Sequence, residues 1–306
     1  MALTSAPALP IMLFVTESAD KPASEQRASC ANLADNDVAP FFLAVEQALG
    51  RRGLKLREGC PPADPVARRA LEEYGAIYVA SEEVAVPSCV IFRDEAEVEE
   101  FQNRAGWRTV RFGDVPVTLQ PAAMEALLAA RAALRQEGLA ITPRGGVEAS
   151  RRTYADTVRL WQSRVARALQ HWTGEGRLAP DEAARIAALA LHEQVARVLD
   201  CETHGLFFSQ CFTKTIARSV ALPGASQHLT MLAFDVAEFQ TQRVRDELMR
   251  HGWFQTVLDD LPHFTFLGRT AEELPRLGLK PTVIAGQIFW TPDLNREDRF
   301  RGEDEA

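Results

Sequence analysis

Two short stretches concentrate the chemistry of this 306-residue chain. The first runs from Pro223-Gly224-Ala225-Ser226-Gln227-His228 to Ala233-Phe234-Asp235, and the second is Asp260-Leu261-Pro262-His263-Phe264-Thr265. Imidazole nitrogen and carboxylate oxygen are ordinary ligands of zinc, and a catalytic zinc takes three such ligands and leaves a fourth position open. These residue types therefore suggest that His228, Asp235 and His263 hold a Zn2+ ion while Asp260 handles a proton. A bland alternative stands beside this at the level of spacing alone. Histidines can serve packing, with no metal held.

The elements around these residues must place them. Pro223-Gly224 forces a turn, and Leu232 to Val236 reads as a short apolar strand. His228 then sits on the turn side and Asp235 inside the strand. Beyond Pro262, strand alternation puts His263, Thr265 and Leu267 on one face and Phe264 and Phe266 on the other. His263 is expected to face a cleft and the phenylalanines a core. Asp260, three residues before His263, would approach from the loop.

Ser226-x-His228 with Ala233-x-Asp235, followed by an acid three residues before His263, resembles the zinc D-alanyl-D-alanine carboxypeptidases and dipeptidases of the vancomycin-resistance type. That family's pattern is Ser-x-His, six residues, Asp, and later Glu-x-x-His. Ala221-Leu222-Pro223-Gly224 and Gly252-Trp253-Phe254 add to the likeness, which spans roughly residues 120 to 270. It implies a zinc metallopeptidase, a hydrolase acting next to a D-amino acid in peptidoglycan stem peptides of the cell wall, most simply as a D,D-carboxypeptidase. It also implies a periplasmic or extracellular location. Two departures stand out: Asp260 replaces the family's glutamate base, and Met231 fills a position where the family has glycine.

The same resemblance draws Arg144, in Thr142-Pro143-Arg144-Gly145, into the site as the group that holds the substrate carboxylate or the developing oxyanion. A guanidinium forks onto a carboxylate and a fixed cation stabilises a tetrahedral intermediate. Lys214 is a weaker cationic alternative, and Asp259 rivals Asp260 as base. Ser226 either binds the substrate's amine or closes the turn. Hedgehog-type signalling domains share this family's zinc fold, so a zinc-containing peptidoglycan- or protein-binding module without turnover is the alternative function.

Composition narrows the classes. A formal charge of −8 argues against nucleic acid, which asks for a basic face. No run of apolar residues approaches the length of a membrane span. The five cysteines form no Cys-x-x-Cys pair, so a thiolate zinc site is not expected, and a disulfide among Cys30, Cys60 and Cys89 would fit an oxidising compartment. The apolar run from Leu9 to Val15 has no Lys or Arg before it and makes a poor signal peptide.

Along the chain, residues 1 to about 36 look loosely ordered. A helix is expected over Pro40 to Leu49, strands over Tyr74 to Ala80 and Cys89 to Phe92, and a helix from Asp94 to Phe101. A hairpin turning at Gly113-Asp114 follows, then a helix from Pro121 to Gly138 and a short strand over Leu139 to Thr142. Ser150 is expected to cap a long helix whose stripe of Tyr154, Val158, Trp161, Val165, Leu169 and Trp172 reads as core. One helix is expected from Pro180 through Asp200, a strand over Leu206 to Ser209, and a helix from Glu238 to His251. Helices on a mostly antiparallel sheet give an α+β fold with a single zinc site. The expected division is an appended region over 1–118, a peptidase-like domain over 119–294 and a charged tail over 295–306.

Overall fold

In the computed structural model, residues 39–56 and 64–294 are described. Helices α1 (Pro40–Arg51) and α2 (Pro65–Tyr74) both begin on proline, which suits the first helical turn because its missing N–H has no partner there. Asp64 caps α2 through the amides of Val66 and Ala67. Helix α3 (Glu95–Ala105) starts on the Asp94 cap, as its sequence predicts. A hairpin of β1 (Arg108–Phe112) and β2 (Val115–Leu119) leads to α4 (Pro121–Gln136).

Helix α5 (Tyr154–Gly174) carries the apolar stripe, with Trp161, Val165, Leu169 and Trp172 buried. Its cap is Thr153, in a capping box with Asp156, and Ser150 is used elsewhere. The single helix expected from Pro180 divides into α6 (Pro180–Ala188) and α7 (Leu191–Thr203), separated by an extended backbone at Leu189 and Ala190.

Strand β3 (Ala233–Asp235), α8 (Gln242–Arg250), β4 (Trp253–Phe254) and β5 (His263–Phe266) follow. They form an antiparallel sheet in the order β3-β5-β4. A last hairpin pairs β6 (Leu279–Ile284) with β7 (Gln287–Pro292). The fold is α+β with antiparallel sheets throughout, as composed from the sequence.

Several expected strands take other forms. Gly75–Val79 is a 3-10 helix whose residues are all buried, so its apolar run marks burial rather than pairing. Cys89–Phe92 and Leu206–Ser209 are irregular, and the expected strand at Leu139–Thr142 shrinks to one bridge between Pro143 and Val236. The expectations for residues 1 to 36 and for the tail lie outside the described residues.

The boundary drawn at residue 118 does not separate two cores. One continuous apolar cluster takes Phe41, Leu71, Tyr78 and Val117 from before that point and Met124, Trp161, Phe234 and Phe264 from after it. Polar ties cross it as well. Gln120 donates to the carbonyls of Ala85 and Thr230, and Gln102 donates to the carbonyl of Leu229. Short apolar segments flanked by turns resemble an appendage in sequence, whereas each here covers part of the same core.

Candidate metal centre and cleft

Strand register makes the first contact of the site. Asp235 lies directly opposite His263 in the β3-β5 pair, and Ala233 lies opposite Thr265. Directly opposed residues share a face with Cβ atoms about 5 Å apart, so the carboxylate meets the imidazole without help from any loop. Phe234 and Phe264 pair on the other face and bury in the core.

His228 arrives on a single turn of 3-10 helix, Gln227–Thr230, entered through Ser226. Gly224 fixes that approach. Its backbone has φ 76°, and a Cβ there would lie 2.0 Å from the carbonyl oxygen of Phe92, so only glycine lets the two segments meet. Met231, just past the turn, adopts the left-handed region (φ 57°, ψ 30°), which explains physically why a glycine suits this position. Its side chain is wholly buried and forms no part of the cleft wall, so this departure leaves the cleft unaltered.

Three ligand-type atoms converge. Asp235 Oδ1 lies 3.1 Å from His263 Nδ1 and 3.3 Å from His228 Nε2, and the two ring nitrogens are 3.1 Å apart. A tetrahedral metal with bonds of about 2.0–2.1 Å sets its ligand atoms about 3.3–3.4 Å from one another. The observed triangle is close to that spacing. This buried group could hold a metal ion.

The outer face of each ring decides its tautomer. His228 Nδ1 lies 3.0 Å from the carbonyl of Ser150, which can only accept, so this nitrogen carries the proton. His263 Nε2 lies 2.8 Å from Gln227 Oε1. The Gln227 amide is itself oriented, because its Nε2 donates to the carbonyl of Tyr74 at 2.9 Å. Thr265 donates to the same Oε1 at 2.5 Å. When the outer nitrogens carry the ring protons, His228 Nε2 and His263 Nδ1 present lone pairs to each other and to a carboxylate oxygen. One cation satisfies all three acceptors together, whereas one proton satisfies only a pair.

Charge supports this arrangement. Arg152 donates to Asp235 Oδ2 at 2.8 Å and to the carbonyl of Glu148 at 3.0 Å, leaving Oδ1 to the histidines. Burial together with the Arg152 cation pushes the His228 ring down to about 4, so it stays neutral at physiological pH. Burial pushes the Asp235 carboxyl up, and pairing with His228 and His263 in their proton-donating form outweighs this and holds it well below the usual carboxylate range. Asp260 runs the other way, raised chiefly by burial.

The triad opens into a cleft of about 210 Å³ whose wall includes Asp260, Ser226, Arg152, Arg164 and Arg218. Neither the Asp260 carboxylate nor the Ser226 hydroxyl makes a hydrogen bond among the described residues, so both face the cleft. No family model, curated protein or solved structure matches this chain.

The geometry of the site sorts the sequence expectations. His228, Asp235, His263, Asp260 and Ser226 come together. Arg144 does not line the cleft. Its amide donates to the carbonyl of Asp235, while its exposed guanidinium lies 5.1 Å from the Phe239 ring centre. Its charge still acts on Asp260 from a distance. Asp259, with φ 66°, turns away from the triad toward Lys214 at 3.3 Å and Arg218 at 3.6 Å. The two weaker candidates, Lys214 and Asp259, thus pair with each other.

Trp253 is a core residue, and Gln255 ties the loop before His263 by donating to Leu261 and Gln287. Arg152, Gln227 and the Ser150 carbonyl were not singled out from sequence. For Gln227 the sequence carried no separate signal, since it stands between the polar Ser226 and His228.

Proposed function

We propose that this protein is a zinc-dependent metallopeptidase that hydrolyses a peptide bond next to a D-amino acid in peptidoglycan stem peptides, most simply as a D,D-carboxypeptidase. The observation that carries the metal-dependent part is the triangle of inward lone pairs at His228, Asp235 and His263. The choice of zinc follows from two imidazoles and one carboxylate at near-tetrahedral spacing. The choice of peptide rests on the resemblance of the Ser226 to His263 motifs.

Zinc in such a site supplies an acidified water and a Lewis acid for the scissile carbonyl. The chain's own residues do the rest. Asp260, in the cleft wall with a raised pKa, accepts the proton of the attacking water and delivers it to the leaving amine. Arg152 fixes the Asp235 carboxylate by its outer oxygen, and Gln227 and Ser150 fix the ring tautomers. Ser226 offers a hydroxyl to the substrate backbone.

A periplasmic or extracellular setting belongs to the same proposal. It is supported by the disulfide at Cys89, since disulfides persist in oxidising compartments. Among the described residues no helix is long and apolar enough to cross a membrane.

The test is mass spectrometry of a stem pentapeptide incubated with zinc-loaded protein, with Asp260→Ala as control. Loss of one D-Ala with the wild type alone is the expected result. Loss of a dipeptide would keep the enzyme class and change the bond. An intact peptide beside zinc-loaded protein would overturn the peptidase in favour of a binding module.

A further inference from the structure

The cleft carries a cation that the proton chemistry does not use. Helix α5 presents Thr157, Leu160 and Arg164 to it, positions spaced three and four apart and therefore on one helix face. The Arg164 backbone stands seven residues beyond Thr157, about 10 Å along the axis. Arg152, which secures Asp235, precedes the same helix. One face thus runs from the metal-ligand end of the cleft to Arg164.

Arg164 differs from the other cleft arginines. Arg152 is paired with Asp235, and Arg218 lies 3.6 Å from Asp259. Among the described residues Arg164 has no carboxylate within ion-pair distance. It donates through Nε to Ser219 Oγ at 3.1 Å and through one terminal nitrogen to Ser163 Oγ at 3.1 Å. Both acceptors are neutral, so they orient the guanidinium without neutralising it. The side chain is half-buried, in a chain whose net charge is −8. Ser219, which holds its Nε, also lines the cleft. A planar donor fork held in a partly desolvated wall suits a carboxylate.

We infer that Arg164 is the substrate's anion anchor: the cleft takes a peptide with a carboxylate set apart from the scissile bond, and Arg164 binds that group. This rests on the peptidase reading for the word peptide, but not for the carboxylate. The carboxylate has two sources with one chemistry, a free C-terminus or an acidic residue in the stem.

Calorimetry on zinc-loaded Asp260→Ala protein separates the possibilities. The probes are a stem pentapeptide, its C-terminal amide, the same pair with isoglutamine replacing isoglutamate, and N-acetyl-D-alanine. Arg164→Gln and Arg164→Lys in that background are compared, with thermal melts to verify folding. Arg164→Gln is expected to weaken the carboxylate-bearing probe about ten-fold or more, with Arg164→Lys in between. Whichever neutralised probe binds both proteins alike identifies the source of the carboxylate.

Equal affinity of both proteins for every probe overturns the anchor, even if the wild type cleaves the pentapeptide. An Arg164-dependent affinity for N-acetyl-D-alanine, without pentapeptide cleavage by the wild type, keeps the anchor and removes the peptidase. Binding of no probe overturns the anchor. A folded Arg164→Lys protein keeps the comparison decisive should Arg164→Gln unfold.

Discussion

His228 and His263 meet nitrogen to nitrogen at 3.1 Å, each with its proton-bearing side turned outward to a fixed acceptor. Two such lone pairs beside the Asp235 carboxylate repel one another, and a shared cation relieves them.

Wild-type protein is expected to bind about one zinc per chain and His263→Ala clearly less, as read by metal analysis after gel filtration. Because the unfolded chain lacks the assembled site, a thousand-fold excess of zinc over its Kd should stabilise the fold by about 4 kcal/mol. Thermal melts should show that rise for the wild type and lose it for His263→Ala. A melt indifferent to zinc would remove the metal from the site.

Gln227→Leu takes the acceptor from His263 Nε2–H and from the Thr265 hydroxyl. Outer partners of this kind are worth roughly 10–100-fold in metal affinity. Chelator competition should show such a loss, and an unchanged affinity would assign Gln227 to packing only. A further loss of about 1–3 kcal/mol in stability is expected from the buried donors left unpaired.

Asp260→Ala should lower turnover by about 10²–10⁴ while zinc content stays at the wild-type level. Asp260→Glu restores the longer acid of the resembling family and should raise turnover if reach limits the aspartate. Steady-state rates on the stem pentapeptide decide this, and unchanged or lost activity in Asp260→Glu counts against a limit on reach.

Acid should destabilise the metal-free protein in a defined window. His228 titrates near 6.5 when unfolded and at about 4 when folded. Between these values the unfolded chain takes up a proton that the folded chain refuses. Stability is therefore complete above pH 6.5 and falls as pH is lowered toward 4. The gap between 6.5 and about 4 corresponds to roughly 3 kcal/mol. Urea melts across the window should show this slope, and His228→Asn, which keeps a donor for Ser150 but does not titrate, should flatten it.

The sequence by itself determined the residue types of the candidate metal site and the elements that rest on local rules. The α5 stripe, the Asp94 cap, the turn at Gly113 and the alternation of β5 all follow from periodicities that a short segment carries within itself. The β6-β7 hairpin was not read from the sequence: Ala285 and Gly286 both adopt positive φ (50° and 73°), and alanine does not announce such a turn.

Tertiary structure alone decided the rest. The register that sets Asp235 opposite His263, the pairing of Arg152 with Asp235, the placing of Arg144 outside the cleft, and the turning of Asp259 toward Lys214 depend on residues far apart in the chain. So does the joining of residues 39–118 to the common core. Helix and strand periods say which side chains share a face, but the neighbour that a face meets is fixed only when the whole apolar surface packs at once.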